Sequence, residues 1–314
     1  PHFDDHRHED IKGLTTVSYV FLLKKKTLKM SLTVFIIRHG ERVDAVDPNF
    51  RYTSPTPYDT PLTPKGKRQA KRTGAYIHDI QLETVVTEIN RQRKVEYVIY
   101  TSPLLRTVET AIGIAEGIVS NRPNSPIDSV QFRIEPAVVD WHYQSYYRKA
   151  IPNSIIESRI KELRLLIKQD QDTEDQQQPQ LGFKIDLEYE PILTELPAYP
   201  EGIMDALARC GNAFEKITSP FIERLHQDPS KDIVLIIVTH GWCFNAIQSA
   251  CSKSSSWVEV RYCAVTRARW IPKNENSEDI YDIEKDAPDD NNSAGKWILD
   301  IIANIEHLKT LKYE

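Results

Sequence analysis

The chain has 314 residues, of which 40% are hydrophobic and 27% charged, the composition of an ordinary globular protein long enough to bury a core. A formal net charge of −5 provides no global field for nucleic acid or an anionic membrane, so neither is expected as a partner, and any anion site must be built locally from arginines. No apolar run approaches the ~20 residues of a membrane-spanning helix.

In chain order, residues 17–23 are apolar but short and run into Lys24, Lys25 and Lys26, the reverse of a signal peptide's charge order. That pattern predicts an intracellular protein, cytoplasmic or nuclear. Residues 1–29 carry His2, His6 and His8 at irregular intervals, too weak a pattern to assign a metal. They are expected to form a poorly ordered extension, with the domain proper over residues 30–314.

Residues 32–37 form a continuous run rich in β-branched side chains, the pattern of a strand buried on both faces, and the run stops at Arg38-His39-Gly40. Residues 41–61 hold four prolines and no helical period, so they read as a loop. Thr63 is then a suitable N-cap and Pro64 suits the first helical position. A second strand is expected at 95–100 and a helix at 104–119, followed by strands at 131–134, 233–238, 262–270 and 297–302. A helix is expected at 200–217. Strands alternating with helices predict an α/β fold, three-layer α/β/α with a mainly parallel central sheet. Two polar segments, 168–180 and 273–294, lack apolar content and are expected to be mobile surface insertions. The four cysteines show no metal-like spacing and read as reduced structural thiols, Cys243 among them as a small buried hydrophobe.

The chemistry-bearing residues gather at strand ends, where parallel α/β sheets bind ligands. Arg38 and His39 end the first strand and Thr239-His240-Gly241 ends the clearest later one; Arg106 follows the second, and Asp140 follows the third. Imidazole can attack phosphorus to give a phosphohistidine, and guanidinium forks match the spread charge of a transferring phosphoryl group. This assigns His39 as nucleophile, Arg38, Arg42, Arg106 and His240 to the phosphate, and Asp140 as proton donor and later base. Each residue has a blander reading alone; their convergence favours the catalytic one. Neither metal nor organic cofactor is called for. Trp141, His142, Tyr143, Tyr146 and Tyr147 form an aromatic cluster after Asp140 that could pack a cap segment or wall the substrate. Glu201 and Arg209 read as surface residues.

The motifs Ile37-Arg38-His39-Gly40-Glu41-Arg42, Pro61-Leu62-Thr63 with Gly66, Ser102-Pro103-Leu104-Leu105-Arg106-Thr107 and Val238-Thr239-His240-Gly241 resemble the histidine phosphatase superfamily, with its phosphoglycerate-mutase-like fold. The stretch Arg38–Asp44 is similar to a branch that includes the suppressor of T-cell receptor signalling phosphatase domains and a phosphatase-like subunit of transcription factor IIIC. The resemblance implies the same roles for His39, Arg38, Arg42, Arg106 and His240. At the carboxylate position the family places Glu before Trp, whereas this chain has Asp140, one methylene shorter; Glu135 is the fallback. Three functions follow in order: a phosphomonoester hydrolase acting on a small molecule or phosphoprotein, a catalytically weak interaction domain, and a phosphoglycerate mutase. Homodimerisation or membership of a protein complex is left open.

Overall fold

The computed structural model describes residues 32–86, 94–120, 127–172, 182–227, 231–273 and 294–312. The expected extension at 1–29 and most of the two polar insertions, 173–180 and 274–293, lie outside the described residues.

The strands are β1 (Leu32–Arg38), β2 (Lys94–Thr101), β3 (Ile127–Ile134), β4 (Lys184–Ile185), β5 (Lys231–Thr239), β6 (Val265–Pro272) and β7 (Gly295–Asn304). The main helices are α1 (Pro64–Val86), α2 (Leu105–Val119), α3 (Ser154–Asp172), α4 (Ile203–Gln227) and α5 (Gly241–Ser252). The strands form one sheet in the order β4-β3-β2-β5-β1-β6-β7. The pairs from β4 across to β1 are parallel, and β6 and β7 add antiparallel pairings at the far edge.

Strand alternation explains the three layers. Leu32, Val34 and Ile36 of β1, with Leu235 and Ile237 of β5, face the side covered by α4 and α5, where Phe214, Ile217, Phe244 and Ile247 meet them. Phe35 and Ile37, with Ile236 and Val238, face the opposite side and pack on Ile77 of α1 and Val108, Ala111 and Ile114 of α2. Because both faces are covered, the central strands are apolar throughout rather than alternating with polar residues. Each such side chain, taken fully out of water, contributes about 1.5–3 kcal/mol before the entropy of ordering it is charged against it.

Several boundaries differ from the expectation. Residues 168–172 belong to α3 and not to an insertion, because Ile155 and Leu163 bury one face of a helix whose polar end simply continues the turn. The helix expected at 200–217 starts at Ile203 and continues through Pro220 to Gln227, its far end held by the buried Phe221 and Leu225. Within 41–61 the chain makes a 3-10 turn at Val43–Ala45 and one helical turn at Phe50–Thr53. No described helix is long and apolar enough to cross a membrane.

Candidate active site

Sheet register places the functional residues side by side. Arg38 pairs with Thr239, and the amide of His39 donates to the Thr239 carbonyl at 3.0 Å. The ladder continues sideways, since the Ser102 amide donates to Val238 O at 3.3 Å and the Glu135 amide to Thr101 O at 2.8 Å. The ends of β1, β5, β2 and β3 therefore open on one edge. There the rings of His39 and His240 lie 5.4 Å apart, and both are essentially buried.

Hydrogen bonding fixes the tautomers. His39 Nδ1 lies 2.8 Å from the Gly40 carbonyl, which can only accept, so Nδ1 carries the proton and Nε2 keeps its lone pair. At His240 the logic reverses. Arg106 Nε can only donate, and it reaches His240 Nδ1 at 3.3 Å, so the proton sits on Nε2, 3.0 Å from Ser102 Oγ. Both rings are held well below the usual histidine pKa, by burial first and then by the field of Arg106. Arg38 and Arg42 add to that field at both rings. Both imidazoles are neutral in the free protein at neutral pH.

The arginines approach from three elements. Arg106, in the first turn of α2, is 1% exposed and donates to Tyr58 O at 3.0 Å, Tyr147 Oη at 2.9 Å and Asp140 Oδ2 at 3.4 Å. Burial opposes its charge, but Tyr147 and Asp140 outweigh that and raise its pKa. Asp59 prepares this helix end by accepting from Leu105 N at 2.6 Å, and Arg159 ties Asp59 to Pro103 O. Arg38 packs on Tyr262, its guanidinium 4.5 Å from the ring centre, and donates to Val260 O at 2.6 Å; its buried Nε has no hydrogen-bond partner among the described residues. Burial lowers the Arg38 pKa. Arg42 donates to Tyr146 Oη at 2.6 Å and to Asp44 Oδ2 at 3.1 Å, while its Nε lies 2.9 Å from Asp44 Oδ1 in an ion pair off hydrogen-bond geometry.

Asp140 joins the group. Its Oδ2 accepts from Tyr147 Oη at 2.9 Å and lies 3.7 Å from His240 Nδ1, with the side chain 15% exposed. Glu135, the fallback carboxylate, is in a different position. Completely buried, it accepts from Ala137 N, Tyr189 Oη and Ile192 N, which fixes it as the cap of the 3-10 turn Pro136–Val138 and away from any leaving group.

All six residues singled out in the sequence (Arg38, His39, Arg42, Arg106, Asp140 and His240) lie along this edge. Ser102, present in a motif without a role, and Tyr147, expected only as part of the aromatic cluster, orient His240, Arg106 and Asp140. Glu201 and Arg209 were expected on the surface, whereas the structure buries them as an ion pair with Arg209 Nε 2.7 Å from Glu201 Oε1. A helix-face pattern carries no sign that an exposed-looking arginine will be covered by a distant loop. Cys243 is fully buried, as expected, with Sγ 3.1 Å from Val139 O.

The edge thus gathers three arginines around two buried neutral imidazoles, an arrangement suited to an oxyanion and to phosphoryl transfer. Residues 34–146 match the family model of the histidine phosphatase superfamily, branch 1; the matched span holds His39, Arg42, Arg106 and Asp140, while His240 lies beyond it. No curated protein matches the chain. Among solved structures, an ecdysone phosphate phosphatase from Bombix mori shares the fold at 18% identity and a TM-score of 0.50, over 80% of this chain and 97% of that one. A mycobacterial glucosyl-3-phosphoglycerate phosphatase aligns over 87% of this chain and 99% of its own, at 15% identity and a TM-score of 0.42. A phosphoglycerate mutase from Bacillus anthracis aligns over 92% and 100%, at 13% identity and a TM-score of 0.44. The family resemblance is carried by residues 34–146, and the likeness to the ecdysone phosphate phosphatase is one of fold, a mixed α/β domain with a mostly parallel seven-stranded sheet.

Proposed function

We propose that the chain is a phosphomonoester hydrolase working through a phosphohistidine on His39. The observation that carries this reading is the Nδ1–H hydrogen bond from His39 to Gly40 O, which leaves an unprotonated Nε2 among Arg38, Arg42 and Arg106. Nε2 attacks phosphorus and the bond to the ester oxygen breaks, while a proton brought in on the monoanionic ester passes through the Asp140 carboxyl to that oxygen. Water then enters. Asp140 takes a proton from it as its oxygen attacks phosphorus, the N–P bond breaks, and inorganic phosphate leaves with the imidazole restored. A bound dianion offsets the arginines' field at His240 and favours proton uptake by that ring; Arg106 Nε then gives up Nδ1, and both groups turn an N–H toward the phosphoryl oxygens.

The leaving group would pass an aromatic track. Tyr146, which holds Arg42, stacks 5.8 Å from Tyr143; Tyr143 lies 4.5 Å from Trp141, Trp141 4.8 Å from Trp242, and Trp242 5.3 Å from Trp257. Tyr146 and Trp257 are 43% and 45% exposed. The track supports an aryl or otherwise flat apolar phosphoester over a small hydroxyacid phosphate, and so a hydrolase over a mutase. On the stretch Arg38–Asp44 we place the chain nearest the branch with the suppressor of T-cell receptor signalling phosphatase domains.

The test is turnover of p-nitrophenyl phosphate and glycerol phosphate by the wild type and His39→Ala. The expected result is hydrolysis that prefers the aryl ester and is lost in the variant by at least about 10³-fold, as for removal of a covalent nucleophile. Turnover surviving His39→Ala would overturn the mechanism. Tight vanadate binding with no turnover on any ester would instead favour the interaction-domain reading, for which the shorter Asp140 is the motivating feature.

A further inference from the structure

The backbone that carries Asp140 leaves the sheet at Ile134 and has no strand neighbour of its own, so something else must place it. A buried ion pair does so. Arg209, in the second turn of α4, and Glu201, just ahead of that helix, are 9% and 7% exposed. Their contact is bidentate, with Arg209 Nε 2.7 Å from Oε1 and Nη2 2.9 Å from Oε2 of Glu201. The rest of the guanidinium is spent on the main chain flanking Asp140. Nη1 donates to Ala137 O at 2.8 Å and Val139 O at 2.9 Å, and Nη2 reaches the carbonyl of Asp140 itself at 3.4 Å. Glu201 takes hold of the other side, its amide donating to His142 O at 2.9 Å and its carbonyl accepting from Trp141 Nε1 at 2.9 Å.

We propose that Arg209 and Glu201 are positioning residues that set the reach of the Asp140 carboxyl toward the leaving oxygen. The inference rests on Asp140 being the proton donor of the hydrolysis described above. A clip that served stability alone would have no need to grip the donor's own carbonyl and the Val139 carbonyl just before it. The shorter Asp side chain adds to the demand, because it has fewer torsions with which to correct a misplaced backbone. Only a planar fork can satisfy a carboxylate and several carbonyls together, so lysine is no substitute for Arg209.

The experiment measures kcat/KM on phenyl phosphates whose ring substituents carry the leaving phenol from acidic p-nitrophenol to phenol. Each variant is compared with the wild type on the same ester, so differences in stacking between the rings cancel. p-Nitrophenolate departs without help, whereas phenolate needs the proton, so a misplaced donor steepens the dependence on leaving-group basicity. Arg209→Met and Glu201→Gln are expected to lose about threefold on p-nitrophenyl phosphate and at least about 30-fold on phenyl phosphate, within the range supplied by general acid catalysis. Should Arg209→Met not fold, Glu201→Gln, which keeps an acceptor oxygen, carries the test alone. Folded variants that lose the same factor on every ester would make the pair merely structural and overturn the proposal. A wild type with no activity on any ester fails in a different place: it removes the hydrolase reading, and the inference with it.

Discussion

Gly66 offers a direct measure of how tightly the phosphate loop is held. A Cβ there would stand 2.2 Å from the Glu41 carbonyl oxygen and 2.9 Å from the Glu41 nitrogen, both backbone atoms with no rotamer to yield. Restoring an ordinary contact near 3.4 Å requires α1 and the Gly40–Arg42 segment to part by about 1 Å. The same movement strains the bonds from Thr63 N to Glu41 O at 2.9 Å and from Glu41 N to Gln69 Oε1 at 3.0 Å, and it carries Arg42 with it. Gly66→Ala is therefore expected to cost about 3 kcal/mol, the upper part of the usual overpacking range, seen as a drop of roughly 6–10 °C in Tm. A displacement of that size at a phosphate ligand should lower kcat/KM on p-nitrophenyl phosphate about 100-fold. Gly211→Ala is the control. Its Cβ would meet only Ala250 Cβ at 3.8 Å, and in a helix interior it should stabilise by about 0.5–1 kcal/mol. Wild-type Tm and activity in Gly66→Ala, measured by thermal unfolding and steady-state kinetics, would refute the close-packed account of the loop.

Two further outcomes are expected. Burial, with Arg72 second, lowers His307 to about 4, so the neutral ring is favoured in the fold and the unfolded chain binds the extra proton below about 6.5. Its contribution is full above about 6.5 and is lost as the pH falls toward about 4; His307→Gln should shrink the stability difference between pH 7 and pH 5 in urea titrations by about 2 kcal/mol, and an unchanged difference would count against the linkage. His39 and His240, shifted in the same direction, add acid sensitivity of the same sign. At Arg42, phosphate must compete with the ion pair to Asp44, so Asp44→Asn should tighten inhibition by inorganic phosphate about 3- to 10-fold, and weaker inhibition would contradict the competition.

The parts of the fold legible in the sequence are those set by local pattern. The apolar runs of β1, β2 and β5 can only be strands covered on both faces, and their ends identify the site because the peptide ladder aligns them. Thr63 acts as the expected cap, its Oγ1 accepting from Gly66 N at 2.9 Å. What local pattern does not reveal depends on distant partners. Burial of Arg209 is decided by a loop some seventy residues upstream, and the role of Glu135 depends on Tyr189 and Ile192, which no periodicity connects to it. The helix expected to stop at 217 runs on past Pro220 because Phe221 and Leu225 have apolar surface to cover. At the site, the identities of His39, His240 and the arginines were legible; the tautomers were not, since they follow from Gly40 O and Arg106 Nε in three dimensions.

The amides of His39, Ser102 and Glu135 each donate to the neighbouring strand, so the spacing of these residues is quantised by the peptide ladder. A one-residue slip would turn His39 to the opposite face of the sheet, and no intermediate register exists. Variation on this scaffold is consequently unequal. The largely exposed stretches 45–57 and 148–150 can change in polarity to alter what is bound, while the nucleophile and its imidazole partner keep their separation. New substrates can be acquired without rebuilding the reaction centre.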